Sequence, residues 1–549
     1  MRARELLLPG TARPPVPERV DVVAEARDLV AGLVTDAWGQ VSASAYETGR
    51  LVSLAPWLTG HAGRVRFLLN AQRPDGGWGA PGGYALVPTL SVTEALLAEL
   101  GRENSGAGRA VLAAAAERGM GALRRLSAED GESLPDMPAI ELIVPALTSM
   151  INDRLGADGE RLDLPRGMSG ARLSAVRAWL ASGAAVQRKL MHALEVAGEA
   201  AAGLPGAVPS LIGAEVSASP LGTIGASPAA SAAWLGTDGS LGGGGSVRRY
   251  LEVIAERSGG PVPCATPITA FERGWTLSWL LRAGVPVDVP GELAVSLNDA
   301  LGPEGAAAGP GLPPDADTTS VALHALALLR IPRDPGSLWP YETDTHFCTW
   351  RGEEGASPTV NAHVLDAFGE HLRRGAGAGP RYGTAVRKLA AWLRDRQRAD
   401  GSWLDRWHAS PYYATACCAL ALWEFGGEES AGAVRGAVRW LLGTQRRDGS
   451  WGRWEGTAEE TAYAMQTLLL AGPAGPGRPV EALERGHRFL LGSVTERGDP
   501  VDAPPLWHDK DLYSPRAIVR AAILGALHLA RRVPLTTAEG SSASRAHVM

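Results

Sequence analysis

The chain predicts an all-α protein built from helical hairpins arranged in closed rings, and three observations lead there. Amphipathic runs rich in Ala, Leu and Arg dominate, whereas alternating β-branched runs are nearly absent. Three segments share one pattern: Gln72-Arg-Pro-Asp-Gly-Gly-Trp78, Gln397-Arg-Ala-Asp-Gly-Ser-Trp403 and Gln445-Arg-Arg-Asp-Gly-Ser-Trp451. The third is 17 Trp against 6 Phe and 9 Tyr, an excess of large flat π faces that recurs at those turns. Each repeat follows a helical run ending in Leu-Leu or Trp-Leu and precedes another. Asp-Gly supplies a tight turn, and the Gln and Trp can bind that turn to the next helix end. Two copies start 48 residues apart, enough for a helical hairpin with its loops.

A length of 549 residues exceeds one ordinary core and predicts two or three domains. The net charge is −6 and the basic residues are scattered, which argues against a nucleic-acid partner or a polybasic membrane anchor. Cys264, Cys348, Cys417 and Cys418 show no Cys-x-x-Cys spacing, so a reduced, cytoplasmic protein without structural zinc or disulfides is expected. The first apolar run, three Leu before Pro9, is too short for a signal peptide. No apolar stretch approaches the roughly 18 residues of a spanning helix. Gly/Pro-rich seams lie at 202–228, 236–246 and 302–314, and a Ser/Ala-rich tail read as disordered follows about residue 535.

The chemistry-bearing segment is Pro313-Pro-Asp-Ala-Asp-Thr-Thr-Ser320, followed directly by an apolar helical run. Asp315 suits the N-cap, where its oxygen takes an orphan backbone N–H. Asp317 then falls in the first turn. There the helix dipole favours its anion and strengthens it as an acid, while the neighbouring carboxylate helps keep one proton bound. Thr318 and Thr319 add hydroxyls that can donate to the pair. A simple helix start is the competing reading. Ser357-Pro-Thr-Val-Asn-Ala-His363 opens the next helix, and Asn361 or His363 can contact the acid pair or hold a water that resets it.

Together these residues resemble the class II terpene cyclases, the group of squalene–hopene cyclases and copalyl diphosphate synthases. The Gln-to-Trp turns match that superfamily's repeat, and Asp315-Ala-Asp-Thr-Thr319 resembles its Asp-x-Asp-Asp acid motif with Thr318 in place of the last Asp. Ser44-Ala-Tyr-Glu-Thr48 is similar to the Ser-Ala-Tyr-Asp-Thr segment of diterpene cyclases. Asp405-Arg-Trp-His-Ala-Ser-Pro-Tyr-Tyr-Ala-Thr415 and Trp507-His-Asp-Lys-Asp-Leu-Tyr-Ser-Pro515 resemble stretches of bacterial copalyl diphosphate synthases. The resemblance implies two α/α barrels, β and γ, with γ inserted after the first helix of β. On that pattern residues 1–40 and 290–535 form β, 41–289 form γ, and 536–549 are a tail.

It also implies roles. An alkene is a very weak base, so its protonation needs a strong acid shielded from water; Asp317 would be the donor, with Asp315 and Thr318 holding its geometry. Carbocations are stabilised by aromatic faces, and Trp350, Trp407, Tyr412, Tyr413, Tyr463, Trp507 and Tyr513 lie near the matched motifs, with core packing as the alternative for each. The substrate's diphosphate would be retained and held by Lys510 and Arg516, the alternative being solvated surface charge. Magnesium (Mg2+) would be carried by Glu129, Asp130 and Glu132, where plant diterpene cyclases have an acidic segment; an exposed acidic loop is the competing account. Asn152-Asp-Arg-Leu-Gly-Ala-Asp-Gly-Glu160 resembles the magnesium motif of class I synthases, but no Asp-Asp-x-x-Asp partner exists and two glycines argue for a loop.

The implied reaction is bicyclisation of geranylgeranyl diphosphate to a copalyl-type diphosphate, which a class I synthase or a phosphatase would consume. Farnesyl diphosphate giving drimenyl diphosphate is the alternative, and squalene-type cyclisation is a third. From another class, zinc-dependent protein prenyltransferase subunits share such barrels, and Cys417-Cys418 near His408 is the local cluster for a metal. A non-enzymatic helical scaffold would need neither the acid motif nor so many Trp at turns.

Overall fold

The computed structural model describes residues 20–103, 107–128, 134–156, 160–239, 243–353, 355–375, 379–472 and 479–532. Its three Gln-to-Trp turns share one construction. Gly76, Gly401 and Gly449 take φ of 87°, 98° and 92°, the left-handed region that suits glycine. A Cβ at Gly401 would also meet the Gly436 carbonyl at 2.4 Å. The Trp78, Trp403 and Trp451 indoles are fully buried and donate to Leu68, Leu393 and Leu441 carbonyls at 2.7, 2.8 and 2.7 Å. Those carbonyls belong to the last turn of the preceding helix, where an intrahelical donor is missing. Gln72, Gln397 and Gln445 each donate to the turn glycine's carbonyl and to the following outer helix at Ala115, Ala433 and Ala482. Thr89, Thr415 and Thr461, on the intervening inner helices, accept the Trp backbone N–H. One turn thus ties an outer helix, the next inner helix and the next outer helix together.

Closed rings result. In the C-terminal barrel the inner helices are Thr269–Arg282, Ala316–Leu328, Pro358–Arg373, Pro411–Phe425, Ala458–Leu470 and Arg516–Arg531, each packed on the next and the last on the first. Gly291–Ala300, Pro380–Asp395, Ala431–Thr444 and Val480–Ser493 return outside them, and Val22–Thr35 packs on the first and last inner helices. Because outer helices carry the chain back, the inner helices run parallel and open their N-termini at one mouth. The inserted barrel has an inner ring of Ala45–Leu54, Leu86–Leu100, Ile140–Leu155, Leu194–Ala201 and Pro228–Leu235. Among the described residues, no helix is long and apolar enough to cross a membrane.

Two expectations are corrected here. The helix Thr269–Arg282 is an inner helix of the C-terminal barrel, so the inserted barrel ends near residue 268 and not at 289. Asn152 and Asp153 lie on the helix Ile140–Leu155, not in a loop. Asn152 exchanges two hydrogen bonds with the Leu162 backbone, at 3.0 and 2.7 Å, which makes it a loop clamp. The tail 536–549 lies outside the described residues.

Candidate active site

The acid motif opens an inner helix at the barrel mouth, facing the inserted barrel. Asp315 is the N-cap in extended backbone (φ −134°, ψ 156°), accepting the Thr318 N–H at 2.6 Å and its hydroxyl at 2.9 Å. Thr319 instead donates to the Asp315 carbonyl and accepts from the Ala306 N–H. Asp317 projects away from this network: its Oδ1 accepts from Nδ1 of His363 at 2.6 Å, and its side chain is 15% exposed. Burial alone would lower the His363 pKa. The Asp317 carboxylate and its hydrogen bond outweigh that and hold it well above the ordinary histidine value, with Cys417 adding. This hydrogen bond occupies Oδ1 and leaves Oδ2 as the oxygen that can carry a transferable proton.

Asp315 is 6% exposed, and burial raises its carboxyl to about 7, with the Asp317 charge adding and the Thr318 hydrogen bonds opposing. Its folded pKa therefore exceeds the ordinary 3.8. Between those values the folded chain holds a proton that the unfolded chain has released, so stability falls as pH rises through that window. Replacing Asp315 with Asn removes this contribution. The variant's Tm should vary less between about pH 4 and 7 than the wild type's; parallel Tm–pH curves would show that Asp315 does not titrate there.

Asn361 does not reach the acid. Its amide is fully buried and clamps the loop before its helix, accepting from the Phe347 N–H and donating to the Phe347 and Ser357 carbonyls.

Of the expected aromatic residues, four surround the barrel mouth. Tyr413 accepts from the Trp275 indole at 2.8 Å and stacks on His408, while Trp507 packs on Tyr413, Trp275 and Phe271. Tyr463 packs on Tyr413 and Trp279, and Tyr513 lies partly buried against Cys264, Ala265 and Ile268. Trp350 and Trp407 form an edge-to-face pair at 5.1 Å beside the acid, since Trp407 donates to the Thr349 hydroxyl and the Thr349 carbonyl accepts from the Ala316 N–H. Tyr412 is corrected: it packs outward on Trp440 between inner and outer helices. Phe271, Trp275 and Trp279 were missed in the sequence, although their four-residue spacing puts them on one helix face. Trp275 meets His363 edge-on at 5.5 Å, so the acid pair borders an aromatic floor.

Lys510 is corrected as well. The hairpin Trp507–His508 and Leu512–Tyr513 drives its tip into the inserted barrel. There the fully buried Lys510 ammonium meets Glu195 at 2.9 Å, the Ser227 hydroxyl at 2.8 Å, the His192 carbonyl at 2.8 Å, and Glu47. Asp511 accepts from Ser44 Oγ and the Tyr46 N–H, and Asp509 pairs with His192 at 2.7 Å. With its donors spent, Lys510 ties the two barrels and has no hydrogen left for a diphosphate. The Ser44–Thr48 segment is the receiving side of that tie. Arg516 lies elsewhere, exposed in a groove of about 380 Å³ with Asp36, Trp38 and Arg257.

Other cations lie along the crevice where the two barrels meet. Arg406 pairs with Asp136 of the inserted barrel at 3.0 Å and with Glu353 at 2.5 Å. The half-exposed Lys189 lies 4.3 Å from the Trp350 ring centroid, and Arg453 lies over Tyr84 and Trp454. Arg406 stood inside a motif already singled out; nothing local marks Lys189. Glu129, Asp130 and Glu132 lie outside the described residues. Among the described residues no group of three or more His, Cys, Asp or Glu converges on a metal position, Cys417 and Cys418 included.

Known proteins are similar to this chain along most of its length. The squalene-hopene cyclase C-terminal domain family matches residues 354–503. The chain is 43% identical to the ent-copalyl diphosphate synthase of Streptomyces sp. (strain KO-3988), covering 93% of this chain and 96% of that one. It is 41% identical to the labda-7,13-dienyl diphosphate synthase of Streptomyces clavuligerus, covering 96% of each. The solved ent-copalyl diphosphate synthase from Streptomyces platensis superposes with a TM-score of 0.86 at 43% identity, covering 93% of this chain and 99% of that one. With an acid pair set at the mouth of an aromatic-floored helical barrel and relatives alike over nearly their whole length, this chain belongs to the class II terpene cyclases, isomerase-type enzymes of terpenoid biosynthesis.

Proposed function

We propose that this cyclase converts geranylgeranyl diphosphate into a bicyclic copalyl-type diphosphate with the diphosphate retained. The observation that carries it is the hydrogen bond from His363 to Asp317 at the edge of the aromatic floor. Asp317 protonates the terminal alkene of the folded chain. The cation then passes over Trp275, Tyr413 and Trp507, whose faces stabilise it without offering a nucleophile. Near-full-length likeness to synthases of copalyl and labdadienyl diphosphates supports this substrate over farnesyl diphosphate. A class I synthase or a phosphatase is the class of enzyme that would consume the product.

The diphosphate is assigned to the rim cations Arg406, Lys189 and Arg453 rather than to Lys510. Magnesium, carried by Glu129, Asp130 and Glu132, would neutralise it.

The test is incubation with geranylgeranyl diphosphate and then phosphatase, with product analysis at both stages. A bicyclic alcohol appearing only after phosphatase is expected; a hydrocarbon released with pyrophosphate would refute the reading. Arg406→Ala should raise KM about 10–100-fold, the loss of a charged hydrogen bond, with an unchanged product. An unaltered KM would remove Arg406 from the diphosphate site.

A further inference from the structure

Ring order in the C-terminal barrel sets the helices Ala316–Leu328 and Ala458–Leu470 opposite one another. Their openings are alike: Asp315 caps the first with Asp317 two residues on, and Thr457 caps the second with Glu459 two residues on. Each acid meets a histidine from a neighbouring element, Asp317 with His363 and Glu459 with His408 at 3.2 Å. A second acid–histidine pair therefore stands across the mouth from the first, and the aromatic floor lies between them.

Glu459 is 3% exposed, and a single oxygen takes three side-chain contacts. Its Oε1 accepts the Trp507 indole N–H at 2.8 Å and the Tyr463 hydroxyl at 3.0 Å, besides facing His408 Nε2. Its Oε2 is buried without a hydrogen-bond partner. A buried carboxylate with one bare oxygen is costly, and a fold that keeps it calls for a reason. The donors supply one. An indole or phenol that donates to an anion gains electron density in its ring, and the negative ring face is what attracts a cation.

Resting on the proposed cyclisation, we infer that Glu459 is a positioning residue for the carbocation: it charges the Trp507 and Tyr463 faces opposite the acid and draws the cation away from Asp317. Direct contact would be self-defeating, because a carboxylate touching a carbocation forms an ester. Acting through an intervening ring keeps the attraction and avoids the bond. No proton or electron moves at Glu459; the proton enters from Asp317 and leaves elsewhere.

The test compares Glu459→Gln with wild type on whichever prenyl diphosphate the wild type cyclises, so a wrong substrate assignment leaves it intact. Gln keeps the shape and the acceptor but removes the charge. Expected are a kcat lowered about 10–100-fold, in line with loss of one preorganised electrostatic group, a KM within about threefold, an unchanged Tm, and prematurely quenched side products. Trp507→Phe keeps a ring but removes the N–H, and should shift kcat and products the same way by less; it decides the matter if Glu459→Gln does not fold. Wild-type kcat and a single product in Glu459→Gln, or a kcat loss matched by lost Tm in both variants, would overturn the inference.

Discussion

Asp317→Asn should abolish cyclisation, by at least about 10³-fold in kcat, at the upper part of what a positioned acid contributes. Alkene protonation leaves no alternative route, because water is too weak an acid. The substitution preserves shape, and an amide oxygen can still accept from His363, so Tm should change little. A second consequence distinguishes this variant from a general disturbance. Burial lowers the His363 pKa, and Asp317 with its hydrogen bond raises it well above the ordinary histidine value. In Asp317→Asn the carboxylate that opposes burial is gone and Cys417 is left to oppose it, so the imidazole pKa should fall, a shift that NMR of the ring protons reports. Turnover above a few per cent of wild type would remove Asp317 as donor and shift attention to Asp315.

The other large effect is on stability. Lys510→Ala leaves Glu47 and Glu195 facing each other without a cation in a site closed to water. Removing one partner of a buried ion pair costs about 3–5 kcal/mol, a large share of the 5–15 kcal/mol typical of a fold. In the wild type, burial would lower the Lys510 pKa, but Glu195 and Glu47 raise it above the ordinary lysine value, so the cation persists throughout the usual pH range. Chemical denaturation should therefore show a much lower midpoint for Lys510→Ala, and adding Glu47→Gln should recover part of it. The hairpin carrying Lys510 also carries Trp507 and Tyr513, so kcat should fall together with stability. An intact midpoint with a raised KM would return Lys510 to the diphosphate.

The difference between the two sides of the site is instructive. Asp317 and Lys510 both stand in motifs that mark chemistry, and both are charged groups near a junction. One is 15% exposed beside a single partner, and the other is fully buried among several. Exposure and partner number decide which can act on a substrate. Tyr412 and Tyr413 make the same point for aromatics: adjacent in sequence, they point to opposite sides of one helix, and only Tyr413 joins the floor.

The sequence by itself determined the all-α architecture, the three Gln-to-Trp turns, the Asp315 cap and the candidacy of Asp317. Each of these rests on hydrogen bonds and turn geometry spanning a few residues, or on helical periodicity, and such terms are written locally. Phe271, Trp275 and Trp279 were equally legible as a helix face, though no motif pointed to them. Only the tertiary structure decided which partner each polar group receives. Asp317 and His363 are 46 positions apart, and Glu459 and His408 are 51 apart. Lys510 reaches Glu195 across 315. It also decided that Asn361 clamps a loop, that the domain boundary precedes Thr269, and that Arg406 and Lys189 rim the crevice. What a charge does depends on how much water it loses and on which opposite charges replace that water, and both are set by segments far apart in sequence that meet only in the folded chain.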